Sequence, residues 1–168
     1  MSVVVEKFQK PTRFAFCGSM CSGKSYSSQI LASKLDLPVK SIAKPIKEIV
    51  AEMGKSDRSS HILVGMVGRH ISPDYWIDHL LKRIPDEVIV DDVRFANEAK
   101  KLKENGFTLI YLDLPWFVRF QRLQKRSENC SDIEWFAHES EYSLQDFKDF
   151  DYICKSEKEV NQLIEKLL

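Results

Sequence analysis

Eight consecutive residues near the start of the chain, Gly18-Ser19-Met20-Cys21-Ser22-Gly23-Lys24-Ser25, follow the spacing G-x-x-x-x-G-K-[ST]. Glycines at these two places let a backbone curl closely round a polyanion. Successive N–H groups then face inward at phosphate oxygens. The N-terminus of a following helix brings the positive end of its dipole to the same point. In such a loop the lysine reaches the β- and γ-phosphates and the hydroxyl residue binds Mg²⁺. Here those residues are Lys24 and Ser25. The pattern is meaningful only between a strand and a helix. Arg13-Phe-Ala-Phe-Cys17 reads as a short buried strand and Ser25 to Leu35 as a helix, so both flanks are present. A Gly-Ser loop that merely turns the chain needs neither flank. Gly18 to Tyr26 is therefore the candidate ATP-binding segment.

Beyond this loop, strand and helix patterns alternate. Strands are expected over Leu37–Ala43, Glu87–Asp92, Phe107–Leu112 and Phe150–Cys154. Helices are expected over Pro45–Met53, Asp57–Arg69, Tyr75–Arg83, Asn97–Asn105, Pro115–Arg126 and Ser156–Leu168. Met1–Thr12 reads as a loose lead-in or an extra edge strand, Ser127–Glu134 as a polar mobile stretch, and Trp135–Phe147 as a helix or loop rich in acids. Such alternation predicts an α/β fold of three layers around a mostly parallel five-stranded sheet. A length of 168 residues fits one domain, with residues 115–145 as a lid. In sheets of this kind ligands gather beyond the C-terminal strand ends.

Charge and composition narrow the partners. The 25 Lys and Arg balance 25 Asp and Glu, so no global field favours nucleic acid or an acidic membrane. Cys17, Cys21, Cys130 and Cys154 form no C-x-x-C pair, and the scattered histidines supply no zinc spacing. Reduced thiols and a cytoplasmic location are expected. The N-terminus carries no long apolar stretch of the signal-peptide kind. The apolar segment Phe107–Phe117 is too short to span a bilayer. Nothing in the apolar pattern separates a dimer face from ordinary surface, so a homodimer stays open.

The remaining site candidates follow from the needs of a bound nucleotide. Mg²⁺ requires oxygen ligands, and an acid at the end of a neighbouring apolar strand supplies one. Asp91 and Asp92 close the run Val88-Ile-Val90. Neighbouring residues on a strand point to opposite sides, so one acid can face the metal and the other the substrate. Ser25 and Asp91 are the candidate metal residues. Arg94 is placed to bind an acceptor phosphate with its planar guanidinium. Arg69 is a further candidate for that anion, and Trp76 for stacking on a base, although a Trp on a helix face also reads as core. Arg119, Arg122 and Arg126 fall at helical offsets of three and four and share one face. There they can offset transferring charge and exclude water. If the acceptor is itself a phosphate, its oxygen is the nucleophile and no catalytic base is needed. Lys24, Asp91, Asp92, Arg94 and Arg122 are then the catalytic candidates.

Taken together, the P-loop, Ala43-Lys-Pro-Ile-Lys47, Pro73-Asp-Tyr-Trp76, Val90-Asp-Asp-Val-Arg-Phe95 with Asn97-Glu98, and His138-Glu-Ser-Glu141 resemble the deoxynucleoside monophosphate kinases of bacteriophages and large viruses. The resemblance runs from Arg13 to about Tyr152, and its Asp-Val-Arg-Phe-x-Asn-Glu block is more specific than the P-loop. It implies an adenylate-kinase-like core and ATP- and Mg²⁺-dependent phosphorylation of a dNMP to the dNDP. Lys24 and Ser25 would then carry the donor phosphates and metal, and Asp91 or Asp92 would lie near magnesium and the acceptor. Arg94 would hold the acceptor phosphate, with Arg69 and Trp76 near it, and Arg119, Arg122 and Arg126 would belong to the lid. Glu98, Ser140 and Glu141 match positions that support the site. Ser140-Glu-Tyr-Ser-Leu144 with Phe147 and Phe150-Asp-Tyr152 also resembles the animal-type phosphomevalonate kinases, which rank second, and dephospho-coenzyme A kinase third. A nucleotide-switched binding protein is the alternative from another class. A GTP switch would show an Asn-Lys-x-Asp block, which the sequence lacks.

Overall fold

The structure is a computed structural model that describes residues 11–126 and 138–168, the Arg126 side chain excepted. The expected lead-in over residues 1–10 and the polar stretch over residues 127–137 lie outside the described residues. Five strands form one sheet, β1 (Arg13–Cys17), β2 (Val39–Lys40), β3 (Val88–Val93), β4 (Thr108–Leu112) and β5 (Tyr152–Cys154). Every pairing is parallel and the order is β2-β3-β1-β4-β5. The helices are α1 (Lys24–Leu35), α2 (Lys44–Glu52), α3 (Arg58–Ile71), α4 (Tyr75–Leu81), α5 (Ala96–Glu104), α6 (Trp116–Arg126) and α7 (Glu157–Leu167), with a 3₁₀ turn at Glu139–Glu141. The expected mostly parallel, five-stranded α/β fold is what forms.

Alternation along β1 builds both faces of the core. Phe14 and Phe16 point one way and pack with Leu31 of α1 and Val160, Leu163 and Ile164 of α7. Ala15 and Cys17 point the other way and pack with Trp76, Ile77 and Leu80 of α4 and Ala99 and Leu102 of α5. A strand buried on both faces must be apolar throughout, and the central strands β1 and β4 are close to that. β1 is also the strand where the order reverses, with β3 on one side and β4 on the other. The crevice beyond its C-terminal end is where ligands of open α/β sheets bind, and the P-loop occupies that end.

Two local departures from the sequence reading matter for the site. The second strand is expected over seven residues but pairs only at Val39 and Lys40. Its continuation peels away because Ile42 N and Ala43 N donate to the Asp92 carboxylate, at 2.7 and 2.9 Å. The β1–β3 register also shifts. Ala15 faces Val90 but Cys17 faces Val93, so β3 carries one extra residue at its acidic end. This is a bulge, and bulges re-aim side chains.

Gly68 of α3 lies against the Trp76 ring of α4. A Cβ there would fall 2.4 Å from Trp76 Cε2. The ring has little freedom to move, being 5% exposed with its Nε1 donating to Gly65 O at 2.9 Å. Gly68→Ala should therefore overpack the α3–α4 contact, costing about 2 kcal/mol and lowering the midpoint of thermal unfolding by about 4–8 °C. An unchanged melting temperature would show that the ring does not seat on Gly68.

Candidate active site

The P-loop closes on its own lysine. Gly23, at φ +98°, turns the chain into α1, a left-handed value that glycine adopts without strain. Lys24 follows as the first helical residue, and its Nζ donates to Gly18 O at 2.6 Å and Ser19 O at 2.7 Å. The ammonium is thus held inside the loop, 6% exposed. Burial, and then the nearby Arg94 guanidinium, push its pKa down to about 7, against the opposing pull of Glu141 and Asp92. The backbone before it is unusual as well, since Cys21 sits at φ +59°.

The two acids at the end of β3 line the same cavity but have different partners. Asp92 turns towards the chain entering α2, where it accepts from Ser41 Oγ at 2.6 Å as well as from Ile42 N and Ala43 N. It is an anchor for that loop. Asp91 lines the phosphate-loop cavity together with Ser25. Burial, then repulsion from Asp92, raises its pKa. Its Oδ1 is buried with no hydrogen-bond partner among the described residues. A buried carboxylate oxygen left unpaired is costly, and it is the atom a cation or its bound water would satisfy. Among the described residues no group of three or more His, Cys, Asp or Glu side chains converges. The candidate metal residues here are accordingly one hydroxyl and one carboxylate.

Arginines from two parts of the chain, the end of β3 and helix α6, reach the same crevice. Arg94 follows β3 directly, and its Nη1 meets Glu141 Oε1 at 3.2 Å. Arg119 of α6 donates through Nη1 to Glu141 Oε2 at 2.8 Å and to Met20 O at 3.3 Å. Arg122, one turn later, donates to Cys21 O at 3.1 Å and pairs with Glu157. Arg119 and Arg122 therefore hold α6 against the P-loop. The side chain of Arg126, the third of the α6 arginines, is outside the described residues.

Two cavities meet at this point. One, of about 500 Å³, is lined by Met20 to Tyr26, Ser41, Asp91 and Arg94. The other, of about 360 Å³, runs between α2, α3 and the start of α5 and is lined by Ile46, Arg69, Trp76, Phe95, Glu98 and His138, with Arg94 again. Its walls mix flat apolar rings with cations. The Arg69 guanidinium lies over the Phe95 ring at 4.5 Å, and burial lowers its pKa. Trp76 presents its ring to the cavity while its N–H is used on Gly65 O. Glu98 Oε2 accepts Arg94 N and Phe95 N, at 3.0 and 3.1 Å. Its burial nevertheless pushes the pKa up to about 7.

The structure thus gathers Lys24, Ser25, Asp91, Asp92 and Arg94 at one crevice, sets Arg69 and Trp76 in the adjoining cavity, and brings Arg119 and Arg122 down onto the loop. Lys47 and Arg58, which line both cavities, were not singled out by sequence. Nor was the part played by Glu141, whose side chain is 1% exposed. The block His138-Glu-Ser-Glu141 marks the place in sequence, but no spacing rule joins it to a loop some 120 residues earlier.

Comparison with known proteins agrees with this architecture. A family described as AAA domain matches residues 15–146. A UPF0200 protein of Methanosarcina acetivorans is 31% identical over 143 residues, covering 77% of this chain and 75% of the relative. A UPF0200 protein of Methanosarcina mazei is likewise 31% identical over the same length. Among solved structures, a gluconokinase from Sinorhizobium meliloti superposes with a TM-score of 0.59 at 16% identity, covering 95% of this chain and 91% of that one. Shikimate kinase from Acinetobacter baumannii, in complex with shikimate, superposes with a TM-score of 0.58 at 16% identity, covering 92% of this chain and 89% of that one. At such identities the likeness is one of fold. No helix among the described residues is long and apolar enough to cross a membrane.

Proposed function

The chain belongs to the AAA domain family, alongside the archaeal UPF0200 proteins, and on that premise we propose that it is a phosphotransferase moving the terminal phosphoryl group of ATP to a small acceptor, most specifically a deoxynucleoside monophosphate. The observation that carries this reading is that Arg94 lines both cavities. A cation shared between a phosphate loop and a separate small-molecule cavity is placed where a phosphoryl group would cross. A hydrolytic switch has no need of the second cavity.

In this reading the P-loop amides and Lys24 hold the donor's β- and γ-phosphates. An oxygen of the acceptor phosphate attacks the γ-phosphorus, the bond to the bridging oxygen breaks, and ADP leaves. Phosphoryl transfer asks the protein mainly for positioning and charge stabilisation, so no side chain need abstract a proton. Ser25 and the unpaired Oδ1 of Asp91 fit a magnesium ion, directly or through water, and when bound that ion neutralises phosphate charge. Arg119 and Arg122 hold α6 over the loop and exclude water from it.

The dNMP acceptor rests on the motif resemblance and on the character of the smaller cavity. A base suits the walls of Trp76 and Phe95, and a monophosphate suits Arg94. The structural neighbours named shikimate kinase and gluconokinase make non-nucleotide acceptors a fair comparison. A coupled assay with MgATP and each common dNMP, together with mevalonate phosphate and shikimate, tests the reading. ADP release that depends on a dNMP is expected. Turnover with mevalonate phosphate alone would transfer the assignment to that acceptor. Slow ADP release independent of any acceptor would refute the kinase reading.

A further inference from the structure

The Glu141 carboxylate, which the motif resemblance marks only as supporting the site, binds three partners there. Both of its oxygens lie 3.0 Å from Met20 N of the P-loop. The same two oxygens take Arg94 at 3.2 Å and Arg119 at 2.8 Å. Its own carbonyl accepts Ser19 Oγ at 3.2 Å, so main chain and side chain are both tied to the loop. The turn that carries it is anchored again at Ser143, whose Oγ accepts Ala96 N, at the start of α5, at 3.0 Å. A carboxylate that is 1% exposed must have its charge matched nearby, and both matching cations belong to the phosphate site.

We propose that Glu141 is a positioning residue that locks the acceptor arginine, Arg94, and the lid arginine, Arg119, to the P-loop at Met20. The proposal rests on the phosphotransferase reading. Arg94 and Arg119 come from different elements and meet at this one carboxylate. With Glu141 in place, the two guanidiniums are set relative to the donor loop before either phosphate arrives. Preset cations of this kind cost no reorganisation during transfer. A rival view is that the carboxylate stands in for a phosphate and must leave. Its burial and its main-chain tie to Ser19 oppose easy departure.

The test uses Glu141→Gln, which keeps an oxygen for Met20 N but removes the charge facing the arginines. It is combined with Arg119→Gln. For Glu141→Gln we expect kcat to fall about 50-fold while the KM for ATP stays within about threefold. In the Arg119→Gln background the same change should cost less than about fivefold, because interacting residues are not additive. Hydrogen exchange at the Met20 amide, measured without substrate, gives a second readout. It should speed up about tenfold or more in Glu141→Ala and stay slow in Glu141→Gln. Wild-type rates in Glu141→Gln, tighter acceptor binding by it, or full additivity with Arg119→Gln would each overturn the proposal while leaving the kinase reading intact. If the wild-type protein transfers phosphate to no acceptor, the kinase reading fails on its own. The exchange experiment still decides the lock, and unchanged Met20 exchange in Glu141→Ala overturns it.

Discussion

Replacing Lys24 by alanine should lower phosphoryl transfer about a thousandfold or more, the scale seen when a preorganised charge at a transferring phosphoryl group is removed. The fold should survive. The Lys24 ammonium bonds two loop carbonyls and belongs to neither large apolar cluster, so its loss leaves no cavity in the core. Circular dichroism and thermal unfolding close to wild type, with turnover abolished, are the expected pair of results. The pKa of about 7 adds a linked observable. Burial disfavours the charged form, so at pH 8 the free lysine is mostly neutral. A triphosphate beside it favours the charged form and raises the pKa. Nucleotide binding at pH 8 should therefore take up a proton, and affinity should weaken as pH rises above 7. Calorimetry in buffers of different ionisation heat reads this uptake directly, and it should vanish in Lys24→Ala. Wild-type transfer rates in the variant would remove the lysine from the site.

Arg94→Ala is the second large effect. The kcat/KM for the acceptor should fall about a thousandfold, since a guanidinium on a phosphate combines charge with paired hydrogen bonds. Nucleotide affinity, measured by direct binding, should hold. Arg94 is among the groups that depress the Lys24 pKa, so its removal favours the charged lysine that the donor phosphates need. A loss confined to nucleotide binding would place Arg94 on the donor instead. Arg94→Lys should recover only part of the activity, because an ammonium keeps the charge and loses the fork.

Much of this architecture is legible in the sequence because its signals are local. The bounds of the first strand, Arg13 to Cys17, are those read from five consecutive residues. Asn97–Asn105 and Ser156–Leu168 shift by a residue or so at their ends, as helix termini do. The acids at the end of β3 are plain too, since two carboxylates after Val88-Ile-Val90 break a buried run. Which of them anchors the loop entering α2 is not legible, because the register at this end depends on pairing between β1 and β3, more than seventy residues apart. The shortness of β2 has the same origin, as its last residues give their N–H groups to Asp92. Trp76 reads more readily as a core ring than as a stacking surface, and in the structure it is both buried and part of a cavity wall. Glu141 lies furthest from any local signal. Nothing in a polar segment announces that one of its acids will be buried against arginines from two other elements.

The extra residue in β3 has an evolutionary corollary. Asp91 and Asp92 are chemically alike, yet one anchors a loop while the other keeps a buried oxygen without a partner among the described residues. A single-codon insertion or deletion that ironed out the bulge would re-aim both carboxylates without altering either side chain. In descendants of this gene, point substitutions near this strand should therefore be commoner than changes in its length.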